Sequence, residues 1–493
     1  MTSTCIGNAS FTCLARQCRT QLSRRQSSLP TVTGLSYRYP LQWRSFDTFA
    51  SSTEQRIGRI GNYEPYLSPL ALRRQPSAIR KLLPLMAQEG MVSLGGGLPN
   101  PNLFPLVGGL EFEVTSAVGD TTTATTTTKL RLDEKELQEA LQYSPTPGLP
   151  GLVKQLEQMQ HQNHNVHFGD GGNGVSISIT VGSQDGLTKA MEMLLDPNKD
   201  ELLVEDPTYS GALAFLHPFG VKLTPVATDA NGMDPKALEK ALDQSSAKRR
   251  VLYTIPTAQN PSGSTLSNER RHAIYELAQQ HDVIILEDDP YYFLHPNYKS
   301  GLTSFLEMDN DEGGDGRVLR FDSFSKIISA GLRVGFVTGP APLLERLNWH
   351  TQATQLHNSG LSQAVVSKLL QDWGSISKGG FEAHAQKVAE FYQERGQVLH
   401  EAAQRHLTGL AEWDVPEAGM FLWMNLACSG INDTMSMIET KAAEAKVLLV
   451  PGQSFSPTNS KSSFVRASFS TASNQEMELA VQRLASLIRS ERT

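Results

Sequence analysis

The chain is short of cysteine where a fold could use it. Three of its four cysteines, Cys5, Cys13 and Cys18, lie at the extreme N-terminus, and Cys428 stands alone in the body. That excludes a disulfide framework and any metal site built on cysteine, and it points to a reducing intracellular compartment. No apolar run reaches the length of about eighteen residues that a membrane-spanning helix needs. A surplus of positive charge is missing too: the formal net charge is -7, and no long basic face marks a nucleic-acid binder. Acidic residues are absent before Asp47, whereas Arg16, Arg19, Arg24, Arg25, Arg38 and Arg44 all precede it. An amphipathic, Arg- and Ser-rich, acid-poor leader has the composition of a mitochondrial transit peptide, so residues 1–56 are set aside from the fold.

What is present is an ordinary globular composition over 493 residues, 39% hydrophobic and 19% charged, enough for two or three units of roughly 150 residues each. From about residue 57, short and nearly continuous apolar segments alternate with helical patterns. "VSISITVGSQDGLTKAMEMLL" (175–195), "ELLVEDPTYSGALAFLHPFG" (201–220) and the stretch from "RVLYTIPTAQNPSG" to "AIYELAQQ" (250–280) each read as strand, turn and helix. "DVIILEDDPYY" (282–292) and "RVLRFDSFSK" (317–326) add two more strands. The pattern predicts an α/β fold with a mainly parallel sheet covered on both faces. Long helical segments and shorter strands after about residue 365 predict a smaller α+β domain. The expected division is a mobile N-terminal arm over 57–90, a large domain over 91–365 and a small domain over 366–493. A threonine tract (119–129), a glycine loop (168–174) and the acidic stretch "MDNDEGGDG" (308–316) read as surface insertions.

The polar clusters stand where the predicted strands stop, the place where parallel sheets bind ligands. "GSQDGL" (182–187) opens a helix, whose first N–H groups with Ser183 and Gln184 suit an anion. Ser323, Ser325 and Arg333 around "SFSK" add donors and a permanent positive charge. "EDDPYY" (287–292) offers a carboxylate with a tyrosine close behind, and "PTAQNPSG" (256–263) sets Asn260 in a tight turn. No histidine or further acid falls at metal-binding spacing beside those carboxylates, so no metal is expected. A lysine, Lys326, sits among the serines, where a surface loop lysine is the plain alternative to a reactive one. A phosphate cradle, a lysine, an acid and a fixed asparagine together suit pyridoxal 5′-phosphate, whose aldehyde needs an amine, whose ring nitrogen needs an acid and whose phosphate needs donors.

Ten blocks in order carry a resemblance over most of the chain: "RQPSAIRKLLPL", "VSLGGGLPNPNLFP", "LQYSPTPGLPGL", "TVGSQDGL", "EDPTYSGAL", "IPTAQNPSG", "LEDDPYYFL", "DSFSKIISAGLRVGF", "GLAEWDVPEAGMFLW" and "FVRASFS". They resemble the fold-type I, class I/II aminotransferases, in particular the kynurenine/α-aminoadipate branch and its fungal aromatic relatives. The resemblance implies a large domain with a mainly parallel seven-stranded sheet between helices, a smaller α+β domain and a homodimer. It assigns Lys326 as the Schiff-base lysine and proton shuttle, and Asp288 as the partner of the ring nitrogen. Asp289 ranks lower because only Asp288 keeps the family's spacing to Tyr291. Tyr291 and Asn260 would bind the 3′-oxygen, and Tyr209 would stack on the ring. Ser183, Gln184, Ser323, Ser325 and Arg333 would hold the phosphate, joined by Tyr143 from across the dimer interface. Arg466 would pair with the substrate α-carboxylate, and Arg80, Gly97 and Leu98 would belong to a segment closing over the substrate. The implied reaction is ping-pong transamination of 2-aminoadipate, kynurenine or an aromatic amino acid with 2-oxoglutarate. Asn-Pro-Ser-Gly at 260–263 departs from the usual Asn-Pro-Thr-Gly but keeps the hydroxyl. Two rivals share these residues: a β-lyase or decarboxylase on the same scaffold, and a transcription regulator with an aminotransferase-like domain, for which residues 1–60 are too short and aperiodic to supply the helix-turn-helix.

Overall fold

The computed structural model describes residues 59–77, 98–115, 127–168, 174–311, 313–373 and 380–491. The leader over 1–56, Arg80 and Gly97, the centre of the threonine tract and most of the glycine loop lie outside them. Strands β1 (Leu110–Thr115) and β2 (Thr127–Leu132) form an antiparallel pair in which Lys129 faces Glu113. The main sheet comprises β3 (Val175–Thr180), β4 (Glu201–Asp206), β5 (Lys222–Asp229), β6 (Gly232–Met233), β7 (Arg250–Thr254), β8 (Ile284–Asp288), β9 (Val318–Ser323) and β10 (Gly335–Pro340). Their spatial order is β3-β10-β9-β8-β7-β4-β5-β6. The sheet thus has eight strands where seven were expected, because the two-residue β6 folds back antiparallel on the edge strand β5.

Adjacent strands from β9 to β5 run parallel, and β10 runs antiparallel to both of its neighbours. Strands β8, β9 and β10 are buried at every position, which explains their unbroken apolar character: with helices on both faces, no side chain points to water. The helices between them start where the sequence supplies a cap. Ser267 accepts the Arg270 N–H ahead of Asn268–Gln280, and Asp234 accepts the Lys236 N–H with Pro235 in the first turn of Pro235–Gln244. The connection leaving β4 runs outward to β5, whereas the one leaving β7 runs the other way to β8. The crevice opened by that reversal lies at the carboxyl ends of β4 and β7.

A second sheet, ordered β11 (Glu412–Trp413), β12 (Phe421–Asn425), β14 (Phe464–Ser468) and β13 (Val450–Pro451), packs with helices over a separate core that includes Leu399, Leu422, Met424, Val465, Phe469 and Leu484. The helix Gly380–Leu407 joins the two cores. Its first half contributes Phe381, Ala385 and Val388 to the large one, and its second half contributes Leu399, Ala402 and Leu407 to the small one.

The acidic stretch at 308–316 is not a solvated insertion. Asp309 and Asp315 are buried: Asp315 pairs with Arg317, and Asp309 accepts the Tyr275 hydroxyl (2.7 Å) and the backbone N–H groups of Gly316, Arg317 and Val318 (2.9, 2.9 and 3.1 Å). One carboxylate thereby satisfies donors that the turn into β9 leaves without a ladder partner. Asp309→Ala orphans three buried backbone donors and leaves the Tyr275 hydroxyl only Asp315 (3.5 Å), and is expected to destabilise the chain by about 3 kcal/mol or more. A urea unfolding midpoint unchanged from wild type contradicts this assignment.

Candidate active site

Five strand ends bring the polar clusters together. The turn after β3 is the first. Gly182 has φ +73°, and a Cβ there would lie 2.2 Å from Arg333 Nη2, so only glycine lets that guanidinium lie flat on the turn. Arg333 itself adopts a left-handed φ of +53°, uncommon for a residue with a side chain. Its Nη2 donates to the Val181 carbonyl (2.9 Å), and its Nη1 donates to Ser325 Oγ (3.0 Å) and the Ala330 carbonyl (3.2 Å). Ser323 Oγ accepts the Ser325 N–H (3.2 Å) at the end of β9. Gln184, in the first turn of Ser183–Leu194, donates to the Gly211 carbonyl (2.9 Å), while its own buried Oε1 has no partner. A helix N-terminus, two serines and an arginine therefore converge on one turn, the arrangement an anion needs.

Three consecutive carboxylates end β8, and strand alternation separates them. Glu287 and Asp289 meet the fully buried Arg320 (2.9 and 3.2 Å), and Asp289 also accepts the Thr257 hydroxyl (3.1 Å). Asp288, between them in sequence, forms no ion pair among the described residues. Its Oδ2 accepts the Tyr253 hydroxyl (2.9 Å), and its buried Oδ1 has no hydrogen bond. Burial pushes the Asp288 carboxyl up to about 7. The charges of Asp289 and Asp322 push the same way, while the Tyr253 hydrogen bond and Arg320 oppose them. Asp289 Oδ1 also lacks a hydrogen bond, but its charge is already met by Arg320.

Beyond β9 lies Lys326. Among the described residues no carboxylate pairs with it. Burial lowers its pKa, and the positive charges of Arg333 and Arg466 lower it further. Arg466, on β14, is gripped by aromatic faces, its guanidinium carbon 4.2 Å from the Phe421 ring centre and 4.9 Å from that of Phe455. Its Nη1 donates to Asn260 Oδ1 (2.7 Å), and its buried Nε is unpaired. Asn260 Nδ2 in turn donates to the Tyr291 hydroxyl (3.4 Å). Tyr209 leads into Ser210–Phe219, its ring folded over Gly211, where a Cβ would lie 2.3 Å from its Cζ. Burial raises the Tyr209 phenol, and it feels the charges of Asp288, Arg466 and Arg333, which places it among all three.

Lys326, Asp288, Tyr291, Asn260, Tyr209, Ser183, Gln184, Ser323, Ser325, Arg333 and Arg466 are thus drawn to one end of the sheet. Tyr143 makes none of these contacts. It is 47% exposed, its ring edge-on to His357 at 5.7 Å. Leu98 is likewise exposed. Sequence reasoning missed Tyr253, Arg320 and the aromatic pair Phe421 and Phe455. Arg320 left a readable signal, a charge inside an otherwise apolar strand opposite a run of acids.

The family model for aminotransferase class I and II matches residues 116–484. The chain belongs to that family. It is 43% identical over 443 residues to the mitochondrial kynurenine/alpha-aminoadipate aminotransferase of Rattus norvegicus, covering 87% of this chain and 99% of that protein. Among solved structures it resembles the aminotransferase Aro8 of Candida albicans (TM-score 0.78, 26% identity, covering 88% of this chain and 99% of that one). It also resembles Pyrococcus horikoshii kynurenine aminotransferase in complex with PMP (TM-score 0.65, 29% identity, covering 87% and 98%). The cofactor of this PLP-dependent aminotransferase is pyridoxal 5′-phosphate, and the site has the donors and acceptors for it. The unpaired Asp288 Oδ1 suits a protonated ring nitrogen, the Gly182 turn with Arg333 suits a phosphate, and Lys326 is an amine without a salt-bridge partner.

Because burial raises both Asp288 and Glu205 to about 7, these two carboxyls keep protons in the folded, cofactor-free chain that they lose in the unfolded chain between about pH 4 and 7. Their contribution to stability therefore falls as pH rises through that window. Asp288→Asn is expected to lessen the loss between pH 5 and 7 by about 2 kcal/mol in urea unfolding. An equal loss in both proteins contradicts the raised pKa.

Proposed function

We propose that the chain transfers the amino group of 2-aminoadipate, kynurenine or an aromatic amino acid to a 2-oxo acid, with 2-oxoglutarate as acceptor, in two alternating half-reactions. The observation that supports this reading is that Lys326 follows the end of β9 and Asp288, with a carboxylate oxygen unpaired among the described residues, ends the neighbouring strand β8, while burial and the charges of Arg333 and Arg466 lower the lysine's pKa. The names of the rat and archaeal relatives support the donor class.

When bound, pyridoxal phosphate supplies a carbonyl that takes up the amino group and a ring that stores the electron pair left at the substrate Cα. The protein's own residues do the rest. Lys326 would hold the cofactor's aldehyde carbon and, once displaced, would be the base that moves the proton from the substrate Cα to the cofactor's C4′. A lowered pKa enlarges the neutral fraction that can do so at a given pH. Asp288 keeps a proton on the ring nitrogen, and Tyr291 with Asn260 binds the 3′-oxygen. Tyr209 covers one face of the ring. Ser183, Gln184, Ser323, Ser325 and Arg333 take the phosphate, with Tyr143 of a second subunit reaching the same group from its exposed position. Arg466 grips the substrate α-carboxylate as a two-pronged donor, held rigid by Phe421 and Phe455. Arg80, Gly97 and Leu98 would close over the substrate side chain. The Arg- and Ser-rich leader, together with the mitochondrial relatives, supports a mitochondrial location.

The test mixes the full chain loaded with cofactor with L-2-aminoadipate, L-kynurenine, L-phenylalanine or L-glutamate and follows the cofactor's absorbance. Conversion from the aldehyde to the amine form, fastest with one of the first three, is the expected result. No conversion by any donor while the cofactor stays attached to Lys326 overturns the reading in favour of elimination or decarboxylation. Arg466→Lys is expected to raise the donor KM by about tenfold or more, since a point charge replaces a fork.

A further inference from the structure

Beneath the proposed phosphate turn lies a partly buried ion pair that the proposed mechanism does not use. Asp185 occupies the first turn of Ser183–Leu194, where its charge competes with any anion approaching the same N–H groups. It does not face outward. Its Oδ2 accepts the Val181 N–H (3.1 Å) and the Lys189 ammonium (3.0 Å), and its Oδ1 lies 2.9 Å from the same ammonium one turn on. Lys189 is 5% exposed and also donates to the Thr351 hydroxyl (3.1 Å). Gln355 Nε2 approaches Asp185 Oδ2 at 3.5 Å and donates to Asn358 Oδ1 at 2.7 Å, which ties the pair to the loop after the helix Ala341–Thr354.

The geometry fixes Val181 from both ends: Asp185 takes its N–H, and Arg333 donates to its carbonyl. The turn is closed further by the Gly182 N–H donating to the Thr180 carbonyl (2.9 Å) and the Thr180 hydroxyl donating to the Gly182 carbonyl (2.9 Å). Asp185 therefore shapes the cradle while carrying the wrong charge for its ligand. Lys189 is the one cation paired with it among the described residues.

We propose that Lys189 is a positioning residue for the cofactor phosphate: it neutralises Asp185, so that the carboxylate can brace the Val181–Gly182 turn without repelling the dianion the turn receives. The proposal rests on the reading of that turn as the phosphate site. It implies a charge effect specific to a phosphate-bearing ligand, beyond any contribution of the pair to folding.

The test compares equilibrium binding of pyridoxal 5′-phosphate and of pyridoxal, which lacks the phosphate, to the cofactor-free full chain. Wild type is expected to prefer the phosphorylated form strongly. Absence of that preference would sink the phosphate-site reading itself. Lys189→Met is expected to weaken pyridoxal phosphate by about tenfold while changing pyridoxal little, the size of effect one uncompensated charge exerts at a partly buried site. Lys189→Gln, which can still donate to Asp185 and thus guards against misfolding, is expected to show the same selective loss. The double variant Asp185→Asn with Lys189→Met, lacking both charges, is expected to recover the wild-type preference. If both ligands weaken equally in the single variants, or if the double variant stays as selectively impaired as Lys189→Met, the pair is structural only and the inference is overturned.

Discussion

The fully buried guanidinium of Arg320 is the interaction on which the site's geometry turns. It meets Glu287 on β8, Asp289 just past its end and Asp322 on its own strand, and its carbon lies 4.9 Å from the centre of the Tyr292 ring. The carboxylates pass the constraint outward. Glu287 accepts the N–H groups of Phe305 and Leu306 (3.0 Å each), and Asp322 accepts the Gln160 side chain (2.8 Å) from the helix Pro150–His164. Removing one member of such a cluster leaves uncompensated charge in the interior, a loss of about 3–5 kcal/mol for a buried pair. Because Glu287 and Asp289 flank Asp288 by one residue each, pinning them to one face of the strand pins Asp288 to the other. The acid that faces the site owes its direction to the two that do not.

This also shows what could be read in the sequence and what could not. Strands β8 and β9 were legible because burial on both faces favours largely apolar segments, and the polar clusters could be sought where such segments stop because parallel sheets place ligands there. The preference for Asp288 over Asp289 came from spacing to Tyr291. The structure supplies the physical difference, which is that Arg320 is paired with one and not the other, and this depends on the register that sets Arg320 opposite Glu287. The acidic stretch at 308–316 misled for a related reason. Composition marks it as solvated, yet Tyr275, Arg317 and the backbone entering β9 arrive from elsewhere in the chain to satisfy it. Partners distant in sequence cannot be seen from local pattern. The same holds for Tyr253, which reads as an ordinary core aromatic until β7 and β8 are laid side by side.

Two arginines from different parts of the chain act together on Lys326. Arg333 follows β9 beside the Gly182 turn and Arg466 stands on the small-domain strand β14, and both depress the lysine's proton affinity. Burial does most of this, and the arginines add to it in the same direction. A lysine beside a carboxylate would keep its proton, and none of the acids here is placed to pair with it. Asp288 is turned toward Tyr253, and Glu287, Asp289 and Asp322 are spent on Arg320.

Asn260 links these two sides, and its own support runs back into the large domain. Its Oδ1 takes Arg466 and its Nδ2 reaches Tyr291, so one amide orients both side chains. The turn that carries it is organised by Gln259, whose Oε1 accepts the Ser262 N–H and hydroxyl (2.8 Å each) and whose Nε2 donates to Glu205 (3.1 Å) and the Pro207 carbonyl (2.8 Å). Glu205 also accepts the Thr254 hydroxyl (2.8 Å) and the Ile255 N–H (3.2 Å), so the carboxyl ends of β4 and β7 are joined beneath the turn. Those two strands flank the crevice where the chain reverses direction, and Tyr209 leaves from one as Asn260 leaves from the other. A polar side chain buried at that point is costly unless satisfied on every side. The hydrogen bonds that satisfy Glu205 are the ones that hold Arg466 and Tyr291, through Gln259 and Asn260, to a common frame.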